Sequence, residues 1–355
     1  MNFSHTTDHI RLGGKNVKLK TLIASAAIVT LASATQAAEV ELTLSHWVPA
    51  THPLQPGGMQ PWADSIKQAS NGRIEITIYP ASQLGAAPDH YDMARDGIVD
   101  IAFINPGYQP GRFPIIAAGE IPFTISNGKA GSRALDEWYR QYSEKEMSDV
   151  YVCMVHLHDP GTLHGTKGPI QVPSDLRGKN IRPAHATMAR MVNALGATSV
   201  QVPAGEMRDL ISKGAADMTA SPWNSLFTFG VQDVVTHHLD MPFYATTFAF
   251  VMNKAKIDGL SPDDQKVVDD HCTSDWAEKM ASEWSDAEAA GRQKIIDLGG
   301  HTLYKPSAEE VALWKEATMP LNDEWRQTAA AKGIDAEAAW NGLVETLKKY
   351  DSYIE

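Results

Sequence analysis

One phrase occurs twice in this chain, and it constrains the fold more than any other feature. In the first copy Arg73–Tyr79 alternates, with Ile74, Ile76 and Ile78 on one face, and stops at Pro80. A helix through Tyr91 and Ala94 ends at Gly97, and Asp100-Ile101-Ala102-Phe103 follows as a strand. The second copy runs Thr198–Val202, Pro203, a helix face of Met207, Leu210 and Ile211, then Gly214 and Asp217-Met218-Thr219-Ala220. Gly97 to Asp100 and Gly214 to Asp217 share one spacing. A glycine just past a helix supplies a left-handed cap that other residues resist, which accounts for each glycine alone. The ordered series of strand, proline, helix, glycine and aspartate asks for more, and it predicts two similar α/β lobes. Ahead of the first copy, Glu39–Leu44 alternates into Ser45-His46-Trp47, and a helix follows around Trp62, Ile66 and Ala69.

Residues 1–37 carry Arg11, Lys15, Lys18 and Lys20, then the apolar run Thr21–Ala34, then Thr35-Gln36-Ala37. This is the pattern of a signal peptide, with cleavage expected after Ala37 and a periplasmic protein as its consequence. The apolar run is too short to span a bilayer, which needs about 20 residues. The segment holds four basic residues against Asp8, so its removal takes the formal net charge from −12 to −15. That excess of acid disfavours nucleic acid as a partner and makes any cation in a cleft informative. Cys153 and Cys272 are the only cysteines. The expectation is two buried thiols, although one bridge is chemically allowed in an oxidising compartment.

The remaining stretch of about 318 residues exceeds what one core usually organises. The predicted arrangement is a first lobe over 38–160 and a second over 161–244, each completed by part of 245–355. No flexible linker separates them. A single long helix over 261–298, with Val267, Val268, Trp276, Met280 and Trp284 near helical spacing, is expected to brace both lobes. In open α/β sheets ligands sit beyond the carboxyl ends of the strands. The cleft should therefore be lined by Ser45-His46-Trp47, Ile104-Asn105-Pro106, Ile181-Arg182-Pro183 and Ala220-Ser221-Pro222-Trp223.

Arg182 closes the strand Gly178–Ile181 and precedes Pro183. A guanidinium there could grip a carboxylate with two parallel charge-assisted hydrogen bonds, or it could pair with one of the many acids; spacing alone leaves both open. The run Asp175-Leu176-Arg177-Gly178-Lys179-Asn180-Ile181-Arg182-Pro183, with Gly196-Ala197, Val202-Pro203 and Glu206 after it, resembles the substrate-binding subunits of tripartite ATP-independent periplasmic (TRAP) transporters, the DctP-type solute receptors. His52-Pro53, Asn71-Gly72-Arg73, Tyr79-Pro80, Gln83-Leu84-Gly85 and Ile121-Pro122-Phe123 extend the likeness along most of the chain. The resemblance implies a two-lobed receptor, not an enzyme, that closes on a carboxylate-bearing solute and docks on a small and a large membrane subunit. It also implies that Arg182 is the carboxylate-binding arginine. Two departures stand out. Lys167, in Thr166-Lys167-Gly168-Pro169-Ile170, is only an approximate substitute for the family's second anchor, and Ala220-Ser221 occupies a position where relatives often carry a glutamate or asparagine.

Trp47, Phe103, Tyr108, Trp223 and Phe227 are candidates for flat walls, with at least half of them expected in the core. Asn105, Ser221 and His46 are candidates for polar contacts. Few acceptors and several aromatics point to an aromatic or apolar monocarboxylate. A sugar acid, 2-oxo acid or dicarboxylate is the alternative within the same class. A monomer is expected, with no cofactor and no metal. A different class stays open as well: His156 and His158 share a face of the strand Tyr151–Leu157, and with His164 and His185 could form the zinc site of a periplasmic metal protein or hydrolase. Against that stands the lack of a His-Glu-x-x-His helix or a Gly-x-Ser-x-Gly elbow. His237-His238 reads as a solvated loop. A sensor subunit in place of a transporter subunit is equally compatible with the sequence.

Overall fold

The computed structural model describes residues 38–354, so the leader and the cleavage expected after Ala37 lie outside the described residues. Eleven strands follow in the order β1 (Val40–Ser45), β2 (Ile74–Tyr79), β3 (Ile101–Ile104), β4 (Tyr151–Leu157), β5 (Thr162–Gly165), β6 (Asn180–Arg182), β7 (Thr198–Ser199), β8 (Met218–Ser221), β9 (His237–Leu239), β10 (Thr247–Met252) and β11 (Thr302–Tyr304). They form two sheets, ordered β2-β1-β3-β10-β4 and β11-β9-β5-β8-β6-β7. In the first, β1 runs parallel to β2 and β3, while β10 is antiparallel to both β3 and β4. In the second, β6 runs parallel to β7 and β8, and β5 is antiparallel to both β8 and β9. The two sheets thus repeat one five-strand pattern, and β11 is an addition at the edge of the second.

The repeated glycine and aspartate have repeated structural work. Gly97 and Gly214 both sit in the left-handed region, at φ of 73° and 71°. Three residues on, Asp100 Oδ2 accepts the backbone N–H of Thr43 on β1, and Asp217 Oδ2 accepts that of Asn180 on β6, at 2.8 Å in each case. Each carboxylate therefore satisfies a donor on the adjacent parallel strand, so the common spacing has a common cause.

Helices cover the sheets. The early ones are α1 (Gln60–Ala69), α2 (His90–Arg95) and α3 (Gly128–Glu146), followed by α4 (Ala186–Ala194), α5 (Met207–Ser212) and α6 (Ser225–Thr228). The later ones are α7 (Lys254–Asp258), α8 (Pro262–His271), α9 (Ser274–Leu298), α10 (Ala308–Thr318), α11 (Pro320–Ala331) and α12 (Ala336–Lys349). The segment expected to be one helix over 261–298 is thus two, α8 and α9. Cys272 leaves helical geometry at φ −106° and ψ 65°, and the Thr273 hydroxyl starts the next helix by accepting the Trp276 N–H. The expected free thiols are also corrected: Cys153 on β4 and Cys272 are joined in a disulfide, their Cα atoms 4.5 Å apart, because the break between α8 and α9 falls beside β4. From α9, Glu278 and Asp275 pair with Arg133 on α3, while Glu288 accepts from Asn224 and Ser225 beside the second sheet.

Candidate ligand-binding site

Two short chain crossings join the sheets, 158–161 after β4 and 240–246 before β10, and they meet at an antiparallel bridge between Gly161 and Tyr244; the helical segment between β10 and β11 makes a third, longer passage. Above them lies a cavity of about 370 Å³. Of the residues picked out from sequence, Trp47, Asn105, Tyr108, Arg182 and Ser221 line it. The ends of β1, β3, β6 and β8 converge there, as the shared topology requires.

Arg182 is 3% exposed. Its Nε donates to the Val202 carbonyl at 3.0 Å, Nη1 to the Ala220 carbonyl at 3.3 Å and Nη2 to the Tyr108 hydroxyl at 3.3 Å. Among the described residues no carboxylate pairs with it, although 17 ion pairs involve other lysines and arginines. It is also the one formally charged side chain on the cavity wall. A buried cation without a counter-charge costs several kcal/mol, so the geometry is poised for an anion. Tyr244 lines the same cavity, and its hydroxyl is buried without a partner.

The walls are aromatic. Trp47 stacks on Phe103 with centroids 5.4 Å apart and leans on Tyr108 at 5.6 Å and Phe248 at 6.3 Å. Phe229, Phe248 and Trp284 complete the enclosure. Besides the Arg182–Tyr108 bond, other hydrogen bonds cross the cleft: the Ala204 N–H donates to the Tyr108 hydroxyl at 3.0 Å, and Asn105 Nδ2 donates to the Ala184 carbonyl at 3.3 Å. The two histidines on the wall are neutral, because burial foremost lowers His52 to about 3 and His158 to about 4.

Five predicted residues lie elsewhere, the first of them Phe103, which is fully buried against Trp47 and does not line the cavity. His46 is fully buried and bonds Gln55 at 2.9 Å, on the other side of an extended chain from Trp47. Trp223 packs on His164 and His238, with centroids 5.0 and 5.4 Å away. Phe227 is half-buried and packs against the core, and Phe229, two residues on, reaches the cavity. Lys167 is exposed: it follows the carboxyl end of β5, which runs antiparallel to β8 and therefore leaves the cleft.

The residues missed by sequence reasoning are chiefly His158, Tyr244, Thr246, Phe248 and Trp284. A signal for some of them was present, since an antiparallel strand such as β10 brings its amino end to the cleft.

The zinc alternative is not supported. His156 has no partner for either nitrogen and stacks among Phe103, Phe248 and Phe250. His158 bonds Thr246, His164 bonds His238 and the Ser221 carbonyl, and His185 meets Glu120. No group of three or more ligating side chains converges among the described residues. His237-His238 is not a solvated loop but part of β9, with His238 fully buried. A larger crevice of about 750 Å³ lies nearby, but its cations, Arg190 and Lys332, are exposed, and Arg190 already pairs with Glu324.

Comparison with known proteins gives the family and the fold. Residues 44–328 match the model for bacterial extracellular solute-binding protein, family 7, also called DctP. The chain is similar to a marine metagenome TRAP solute-binding protein specific for aromatic acid ligands, solved with metahydroxyphenylacetate. The two are 32% identical with a TM-score of 0.82, covering 88% of this chain and 99% of that one. A TRAP solute-binding protein from Bordetella bronchiseptica with bound (R)- and (S)-mandelate is 31% identical at a TM-score of 0.82, over 87% and 99%. One from Rhodoferax ferrireducens with copurified benzoate is 30% identical at 0.82, over 88% and 98%. The chain belongs to family 7 of the bacterial extracellular solute-binding proteins, the two-lobed DctP receptors of TRAP systems.

Proposed function

We propose that this chain is a periplasmic receptor that closes its two lobes on a small aromatic monocarboxylate and passes it to the small and large membrane subunits of a TRAP transporter. The observation that carries this reading is Arg182, buried without a carboxylate partner and facing a cavity walled by Trp47, Tyr108, Phe248 and Trp284. The guanidinium takes the carboxylate, with the Tyr108 and Tyr244 hydroxyls beside it, and the ring lies against the aromatic faces. The ligands of the three similar structures support the same class.

On this reading the protein performs no reaction: it captures, closes and releases. One lobe comprises 38–160 with β10, the other 161–244 with β11, and α9 spans both. It acts as a monomer. No helix among the described residues is long and apolar enough to cross a membrane. A signalling partner would use the same capture step.

The test is a thermal-shift and calorimetry panel of aromatic acids, 2-oxo acids, uronates and C4-dicarboxylates. Benzoate or mandelate at about a hundred times its dissociation constant is expected to add roughly 2.7 kcal/mol of stability. Strong stabilisation by uronates with none by aromatic acids would overturn the ligand class, and zinc retained through dialysis would overturn the receptor reading itself.

A further inference from the structure

The cavity holds a second recognition feature, built from histidine tautomers. His158 Nδ1 lies 2.6 Å from the Asp159 carbonyl oxygen. A carbonyl only accepts, so Nδ1 carries the proton. The buried ring is neutral, which leaves Nε2 bare, and at 2.8 Å from Thr246 Oγ1 it takes the hydroxyl proton. Thr246 therefore shows the cavity only lone pairs. His52 is fixed the opposite way. Its Nδ1 accepts the Leu54 N–H at 3.1 Å, so the neutral ring carries its proton on Nε2, which has no partner among the described residues. Both histidine rings pack on Trp284, at 4.7 and 5.6 Å, and both line the cavity with Thr246 and Arg182.

An obligate acceptor and an unused donor in one aromatic enclosure call for a group that donates and accepts at once. We infer that the pocket reads a hydroxyl on the ligand's ring: Thr246 accepts the hydroxyl proton, His52 donates to its oxygen, and the preferred ligand is a hydroxylated aromatic monocarboxylate. The inference rests on the carboxylate reading above. It adds a division of labour, because Arg182 ends a strand of the second sheet, whereas His52 follows β1 of the first and Thr246 and His158 lie on the two crossings. A ligand with both groups ties the two lobes together.

The test compares benzoate, 3- and 4-hydroxybenzoate and their methoxy counterparts by calorimetry on the wild-type protein, Thr246→Val and Thr246→Ser. The wild type is expected to bind at least one hydroxybenzoate about tenfold more tightly than benzoate, and the matching methoxy acid, which cannot donate, to lose that advantage. In Thr246→Val the ratio of hydroxybenzoate to benzoate affinity falls towards one, and in Thr246→Ser it is retained, which also covers the case in which the valine variant folds poorly. Equal binding of benzoate and both hydroxybenzoates by the wild type, or an unchanged ratio in the valine variant, overturns this inference and leaves the carboxylate reading standing. Failure of every aromatic acid to bind overturns both.

Discussion

The two sheets share strand order and direction, yet they contribute opposite things to the cleft. From the first come Trp47, Asn105 and Tyr108, and from the second come Arg182 and Ser221. The first sheet is also the more extensively built, with strands of six, six, four, six and seven residues, against none longer than four in the second. A common scaffold thus delivers strand ends to a cleft without deciding their chemistry. Charge resides on the second side and most of the aromatic surface on the first, with Phe229 from the second side and Trp284 of α9 completing it, so on the proposed reading neither sheet alone holds the ligand.

Covalent support is unequal too, and breaking it should give the largest effect. The Cys153–Cys272 bridge ties β4 of the first sheet to the start of α9 across a sequence separation of 119, and no counterpart exists in the second sheet among the described residues. Closing a loop of that size contributes about 4–5 kcal/mol in the chain-entropy account. Reduction should lower the melting temperature steeply, with hydrogen exchange accelerating first in β4, β10 and α9. Uniform acceleration across both sheets would show that the bridge does not act locally.

The next effect separates charge from wall. Arg182→Met should weaken binding of an aromatic acid by at least about a hundredfold, and Arg182→Lys, which loses the planar fork, by at least about tenfold. Trp47→Leu removes ring contact but no charge, and roughly three- to tenfold is expected. Calorimetry on the three variants checks the order. Equal losses at Arg182 and Trp47 would dissolve the division between the sheets.

What sequence could show follows from the same topology. Parallel strands end at the cleft, so proline-stopped segments located Trp47, Asn105, Arg182 and Ser221 without knowledge of the fold. Antiparallel strands invert the rule. Lys167 follows β5 away from the cleft, while Tyr244 and Thr246, which precede β10, enter it. Direction within a sheet is set by long-range pairing, and no local pattern encodes it. Helical spacing places Trp284 on a bracing helix but does not reveal that it lines the cavity, nor that the helix starts anew after Cys272. His237-His238 reads as a solvated loop because it is a polar pair, whereas the neighbours of His238 are His164 and His301, from distant parts of the chain.

The smallest effect is the sharpest comparison, since the equivalent strands β4 and β9 each bury a histidine. His156 on β4 has no hydrogen-bond partner and lies among three phenylalanines. His238 on β9 is bonded through both nitrogens, to His164 at 2.8 Å and to His301 at 2.9 Å. Leucine is close to histidine in volume, so at His156 it removes two unsatisfied polar atoms at little packing cost, and His156→Leu should gain roughly 1 kcal/mol. At His238 the same change strands two neighbouring imidazoles, and a loss of about 1–3 kcal/mol is expected. Acid should widen the first difference. Burial holds His156 down at about 3, so below the ordinary histidine value the unfolded chain takes up a proton that the folded one refuses. Stability is therefore lost as pH falls from about 6.5 towards about 3, by at most about 1.4 kcal/mol per pH unit for this residue. His156→Leu abolishes that contribution, so its advantage at about pH 5.5 should exceed that at about pH 7.5 by roughly 1 kcal/mol. Urea denaturation of both variants at the two pH values decides the matter. Destabilisation by both substitutions, with no pH dependence of the difference, would mean that His156 has a partner and that the two strands are alike in chemistry as well as in topology.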